Sequence, residues 1–375
     1  MKPIKVLHIV SVDTKNYYLN NLADHTDVGE VQYSFVTFAS SDCDFFLDME
    51  SRGRRVFALN RMGRRQFPQT YRELGKLMKA ENPDIVHTHL FDPSLIGLTV
   101  AKRQGRKTVL TRHHSDAIHQ IRLAPKRKFY LAFENYISRK ADHIIAPSQM
   151  VRDILVETEQ VPNAKVSIIP YGQTTKRFDA ATPEKIAEVQ AELGMKENLA
   201  LVCVSRLFHR KGHEFLFEAL AELMKNGLDA TVYLVGDGDY RTTLESLARK
   251  LGIAERVRFL GWRSDALVII AAADIIVHPS LEDALSSAVI ESVMLERPIV
   301  ATDISGVRDS LDNGKYGKIV EPADADAFRI GLWEVIDNLD EARKIAREGR
   351  KYLLEYMDAK RVADFHLALY RKLIS

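Results

Sequence analysis

Two stretches of the 375-residue chain hold residues that can do chemistry together. In the first, His278-Pro279-Ser280-Leu281-Glu282-Asp283-Ala284-Leu285-Ser286-Ser287-Ala288-Val289-Ile290-Glu291 follows the apolar run Ile275 to Val277. That run reads as a buried strand, and Ser286 or Ser287 can cap the helix that carries Glu291. A turn entering a helix presents free backbone N–H groups and the positive end of the dipole, so an anion can sit over residues 284 to 288. Asp283 lies before that helix and Glu291 inside it. Carboxylates beside such amides accept hydrogen bonds from a ligand's hydroxyls while the amides hold its phosphate, which suits a sugar nucleotide. A capped helix with no ligand is the plain alternative. In the second stretch, the run Leu199 to Val204 leads into Ser205-Arg206-Leu207-Phe208-His209-Arg210-Lys211-Gly212, then a helical pattern through Phe215, Leu216, Leu220 and Leu223. Its cations stand at the carboxyl end of a strand, where open α/β sheets bind ligands.

Together these stretches resemble the retaining family 4 glycosyltransferases of the GT-B fold. The resemblance implies that Arg206 and Lys211 are the pair gripping the donor diphosphate, and that Asp283 and Glu291 are the two acids of the E-x7-E signature. It also implies that the loops at Gly236 and at Trp262-Arg263 approach the nucleotide, with the latter near the base. Read alone, a glycine after a strand merely turns the chain. The chain departs from the family pattern at three points: Asp283 is one methylene shorter than the usual Glu, Ser286 replaces a Gly, and the loop after the first strand lacks a Gly-Gly pair. Without glycine in Val10 to Leu19, a dinucleotide fingerprint is excluded there.

Histidines gather at two strand ends, His87-Thr88-His89 and Thr111-Arg112-His113-His114-Ser115-Asp116, expected to point into the crevice at the sheet's carboxyl edge. Four imidazoles can bind a metal, but no Cys accompanies them, and no metal is expected. By resemblance, His113 contacts the transferred sugar. The D-x-D triplets Asp42 to Asp44, Asp237 to Asp239 and Asp324 to Asp326 lie in loop-like stretches and read as solvated turns rather than ligands for Mg or Mn.

The elements that must position these residues alternate between strand and helix. Strand runs fall at Val6–Val10, Ser34–Phe38, Val56–Leu59, Ile85–His87, Val109–Thr111, His143–Ala146 and Val166–Ile169. They recur from Leu199 through Val232, Val257, Ile275 and Ile299 to Lys318–Val320. Such alternation argues for parallel sheets covered on both faces. The expected architecture is therefore α/β, GT-B, with two Rossmann-like domains whose parallel sheets face each other across a cleft. The boundaries are 1–172 for an acceptor-side domain, 173–350 for a donor domain, and 351–375 for a terminal helix that the family returns to the first domain. The hinge falls at Pro170-Tyr171-Gly172.

Apolar content of 46% and charged content of 28% are those of a globular chain. Cys43 and Cys203 are too few for a disulfide framework. With no long apolar run and no leader-like start, the expected location is cytoplasmic, at the inner face of the membrane if lipid is involved. The net charge of +2 conceals an asymmetry: residues 1–172 hold 25 Lys and Arg against 18 Asp and Glu, which leaves 28 against 33 beyond. Around Arg122 to Tyr130 the basic residues interleave with aromatics, a pattern that can dock on anionic lipid. The alternative there is a helix buried through Phe129, Leu131, Phe133 and Ile137.

The resulting expectation is a metal-independent, retaining transferase moving a sugar from a nucleoside-diphosphate donor, UDP-linked, to a glycan or lipid-linked acceptor. Its donor is a substrate, and no cofactor is required. Nucleic acid is not expected as a partner. Two rivals are a UDP-sugar epimerase of similar bilobal plan and a catalytically silent sugar-nucleotide binder.

Overall fold

The computed structural model describes residues 2–113, 123–283 and 285–375. The chain divides into two compact units, Met1–Thr174 with Met357–Ser375, and Thr175–Tyr356. Each is built on one parallel sheet.

In the first unit the strands are β1 (Ile4–Val10), β2 (Val31–Thr37), β3 (Arg55–Ala58), β4 (Ile85–His89), β5 (Lys107–Thr111), β6 (His143–Ala146) and β7 (Val166–Ile168). They lie in the order β3-β2-β1-β4-β5-β6-β7. Helices α1 (Tyr17–Asp24), α2 (Asp44–Ser51), α3 (Phe67–Glu81), α4 (Phe91–Arg103), α5 (Ala124–Lys140) and α6 (Gln149–Asp153) run between them. β1 and β4 are neighbours in the middle of the sheet, so the chain progresses outward in opposite directions on their two sides.

The second unit opens with α7 (Pro183–Leu193) and continues β8 (Leu199–Val204), α8 (His213–Lys225), β9 (Ala230–Val235), α9 (Arg241–Lys250), β10 (Val257–Gly261) and α10 (Ala266–Ala272). β11 (Ile275–His278), α11 (Ser287–Met294), β12 (Ile299–Thr302), α12 (Val307–Ser310), β13 (Lys318–Val320), α13 (Ala325–Asp337) and α14 (Leu339–Tyr356) complete it. Its strand order is β10-β9-β8-β11-β12-β13, all parallel. The core packs Leu201, Cys203, Val232, Leu234 and Val277 of the strands against Leu216, Phe217 and Leu220 of α8. Burial of such side chains stabilises a fold by about 1.5–3 kcal/mol each.

The last helix, α15 (Ala359–Ile374), belongs to the first unit, where Val362, Leu369 and Tyr370 join the core under β1 and β4. The terminal helix expected over 351–375 starts later: residues up to Tyr356 belong to α14. Asp358 accepts a hydrogen bond from the Arg361 N–H at 2.7 Å and so starts α15 afresh. Helices α1 and α2 were not foreseen; each is only 8 residues long, too short to display a clear period. Among the described residues no helix is long and apolar enough to cross a membrane.

Candidate functional site

In the second unit β8 and β11 are adjacent, yet the chain leaves β8 toward β9 on one side and β11 toward β12 on the other. Ligands of open α/β sheets bind at such a switch point, outside the strands' carboxyl ends. The two loops there are the two stretches singled out in the sequence. Gly212, at φ +63°, brings them together: a Cβ at this position would lie 2.1 Å from the Pro279 carbonyl oxygen. The Leu281 N–H donates to the Arg210 carbonyl at 2.9 Å. Across this seam Lys211 Nζ meets Asp283 Oδ2 at 2.9 Å, and Arg210 meets Glu282 at 3.2 Å. Arg206 is exposed, its guanidinium 5.0 Å from the Phe208 ring centroid.

The cation loop is braced from behind. Gly236, at φ +134°, leaves no room for a side chain, because a Cβ would stand 2.1 Å from the Ser205 carbonyl oxygen. The Leu207 N–H donates to the Asp237 carbonyl at 3.0 Å. Gly236 thus has a packing duty at this edge. Beneath the Lys211–Asp283 pair, His213 shares a 3.0 Å hydrogen bond with Ser205 Oγ, and His278 is buried at the end of β11. Burial lowers both imidazoles to about 4, which keeps them neutral beside Lys211.

Ser286 is the N-cap of α11, extended at φ −71° and ψ 116°, and Ser287 is its first helical residue. Ser286 makes no capping bond through its side chain among the described residues. Ala284 lies outside the described residues. One turn on, Glu291 is largely buried and accepts a 3.0 Å hydrogen bond from Arg177 Nη1. Burial raises its carboxyl above the ordinary range, with Arg177 opposing that shift. Arg177 was missed in the sequence, because the polar run that carries it shows neither strand nor helix periodicity and its partner is 114 positions away. Arg263 is held by Glu192 at 2.7 Å and Asp265 at 2.8 Å, so its guanidinium is committed within the protein. Trp262 beside it is 78% exposed.

The first unit corrects the reading of the histidines. His87 and His89 do not face a crevice: both are buried. The two-residue period of β4 puts them on one face with His8 of β1, and α15 covers that face. His8 Nδ1 and His89 Nε2 share a hydrogen bond at 2.9 Å, as do His89 Nδ1 and His113 Nε2 at 3.0 Å. His113 Nδ1 is in turn bound to the Tyr171 hydroxyl at 2.5 Å. For His113 to reach a sugar hydroxyl, a bond such as these must be exchanged. His87 is fixed at both nitrogens, to the Tyr370 hydroxyl and to Thr111 Oγ1, each at 2.7 Å. His8, His87 and His89 offer nitrogens within 4.8 Å of one another. However, the rings of His87 and His89 stack at 4.4 Å and 24°. Lone pairs lie in the ring planes, so stacked imidazoles do not converge on one ion. His114 and Asp116 lie outside the described residues. Of the D-x-D triplets, only Asp237 to Asp239 lies wholly in a loop, with Asp237 accepting the Gly238 N–H at 2.8 Å; the other two start helices, Asp44 opening α2 and Asp324 capping α13.

Two family models match the chain in succession: Glycosyltransferase Family 4 over residues 16–177 and Glycosyl transferases group 1 over residues 185–352. EpsD of Bacillus subtilis is 28% identical over 78% of this chain and 78% of its own. The UDP-Gal:alpha-D-GlcNAc-diphosphoundecaprenol alpha-1,3-galactosyltransferase of Escherichia coli is 28% identical over 71% of this chain and 69% of its own. Among solved structures, Anabaena Alr3699/HepE in complex with UDP superposes with a TM-score of 0.83, at 19% identity, over 99% of this chain and all of that one.

Proposed function

Since the chain belongs to the family 4, group 1 glycosyltransferases of GT-B fold, we propose that it moves a sugar, with retention at the anomeric carbon, from a UDP-linked donor to a glycan or lipid-linked acceptor. The observation that carries this reading is the juxtaposition, at the β8/β11 switch point, of Arg206 and Lys211 with Asp283 and the start of α11. In this reading Arg206, Lys211 and the first amides of α11 neutralise the departing diphosphate as its charge develops. No divalent ion is then needed. Asp283 exchanges Lys211 for a sugar hydroxyl, while Lys211 turns to phosphate. Glu291 takes the ribose hydroxyls in competition with, or alongside, Arg177. Gly236 supports the cation loop, and the backbone at Trp262 and Arg263 approaches the base. Ser286 and Ser287 contribute their backbone N–H groups. UDP is favoured as the nucleotide by the UDP bound in the HepE structure and by the UDP-Gal donor of the Escherichia coli relative. The reaction is assigned to the cytoplasm.

The test is mass spectrometry of products from a panel of UDP-sugars and acceptors, in excess EDTA. Transfer to an acceptor, with the donor's anomeric configuration kept, is expected. Isomerisation of the donor without any acceptor points instead to an epimerase, and a protein that binds donor but turns over nothing is a silent binder.

A further inference from the structure

Arg177 stands in a short turn, Lys176–Ala180, ahead of α7 in the second unit. Phe178 anchors the turn by its burial, and the Arg177 guanidinium lies over the Phe178 ring at 4.7 Å. Held there, Arg177 Nη1 donates to Glu291 Oε1 at 3.0 Å, while Glu291 Oε2 makes no hydrogen bond among the described residues. The Glu291 side chain is 14% exposed, so the pair is not sealed. A ligand can reach the second oxygen while the first stays paired.

A carboxyl this deep in a protein takes up a proton unless a cation holds it ionised. Burial raises Glu291, and Arg177 opposes that rise by its charge and by its hydrogen bond. Among the described residues no second charge takes its place. Of the elements packed against α11, α10 and β12 carry no charged residue, and His278 at the end of β11 is neutral. On α12, Arg308 is paired with Asp303, and Asp309 accepts from the Tyr356 hydroxyl. On α14, Arg343 is paired with Asp274, Arg350 with Glu296, and Lys344 and Lys351 with acids of their own helix. The charge state matters for recognition, because an ionised carboxylate offers acceptors alone, whereas a protonated one spends an oxygen on its own hydrogen.

We propose that Arg177 is a positioning residue for the nucleotide: it stays on Glu291 Oε1 with ligand bound and keeps the carboxylate ionised, so that Oε2 is offered to the ribose hydroxyls. The inference rests on the reading of Glu291 as the ribose ligand and adds to it a basis for choosing ribose over deoxyribose. Calorimetry with UDP and with 2′-deoxy-UDP, at about pH 6.5 and about pH 8.5, tests it. The ratio of the two affinities cancels the titration of the terminal phosphate, which both ligands carry. Wild type should prefer UDP about tenfold at both values. In Arg177→Met and in Arg177→Gln the preference should vanish at the lower pH and return at the higher one, where the unpaired carboxyl has lost its proton. Arg177→Lys should hold it at both. A loss that rising pH repairs is not the mark of a packing role. Neutral variants that keep the wild-type preference at the lower pH overturn the proposal, and so does a preference lost at both values. Carbon-13 titration of the Glu291 carboxyl, identified by its absence from Glu291→Gln, reads the charge without a ligand. Its midpoint should be higher in Arg177→Met than in wild type, and equal midpoints overturn the proposal as well. Wild type that binds both nucleotides equally removes Glu291 from the ribose, and the proposal falls with that assignment.

Discussion

Lys211 and Asp283 are 72 positions apart and bonded to each other, and under the proposed function this pairing is exchanged for a phosphate and a sugar hydroxyl when the donor binds. Cations that strengthen their grip as a leaving group gains charge act on turnover more than on binding. Arg206→Ala or Lys211→Ala should therefore lower turnover by roughly 100-fold or more, with unchanged melting temperature. Glu291→Gln keeps the shape but not the charge, and should weaken UDP binding by about 1–3 kcal/mol in a competition titration. Affinity equal to wild type would make Glu291 only the partner of Arg177. The residue types and their spacing were legible because they fall at the ends of strongly apolar strands. Arg177 was not, since only folding brings it to Glu291. Nor was the engagement of His113 by His89 and Tyr171, which depends on three separate segments meeting.

At the scale of elements, the site rests on backbone close approach. Gly212→Ala would set a side chain in the left-handed region against the Pro279 carbonyl, and should both destabilise the protein by about 1–3 kcal/mol and weaken UDP binding. Calorimetric melting and titration of the same variant check the two effects, and an unchanged variant would show that the seam can slide. The histidine layer under α15 makes a second prediction. Burial lowers His8 to about 3 and His366 to about 4, and moves His87 and His89 well down. Each is neutral when folded but protonates near 6.5 when unfolded, so the unfolded chain binds more protons as pH falls. The stability they confer is complete above about pH 6.5 and is lost on acidification toward 4, at roughly 1.4 kcal/mol per pH unit for each histidine. Urea midpoints at pH 7 and 5.5 should differ steeply, and a flat profile would contradict the buried neutral layer. The strands were legible throughout from their apolar runs. The outward face of α5 was not: Phe129 is 60% exposed, and periodicity gives an apolar stripe without saying whether anything covers it.

At the scale of the molecule, two parallel sheets each turn about a switch point, β1/β4 in one unit and β8/β11 in the other. The alternation of strands and helices made both sheets readable. The return of α15 to the first unit follows from tertiary contacts of Val362, Leu369 and Tyr370, which its amphipathic pattern could only announce as a face needing a partner. The proposed function requires that the β8/β11 edge of the second unit hold a nucleoside diphosphate without a metal. Calorimetric titration of UDP into wild type and into the Arg206→Ala, Lys211→Ala double variant, each with excess EDTA, tests this most directly. Wild type should bind UDP unchanged by EDTA, and the double variant should bind at least about tenfold more weakly. No binding by wild type, binding abolished by EDTA, or equal affinity in the two proteins would contradict it.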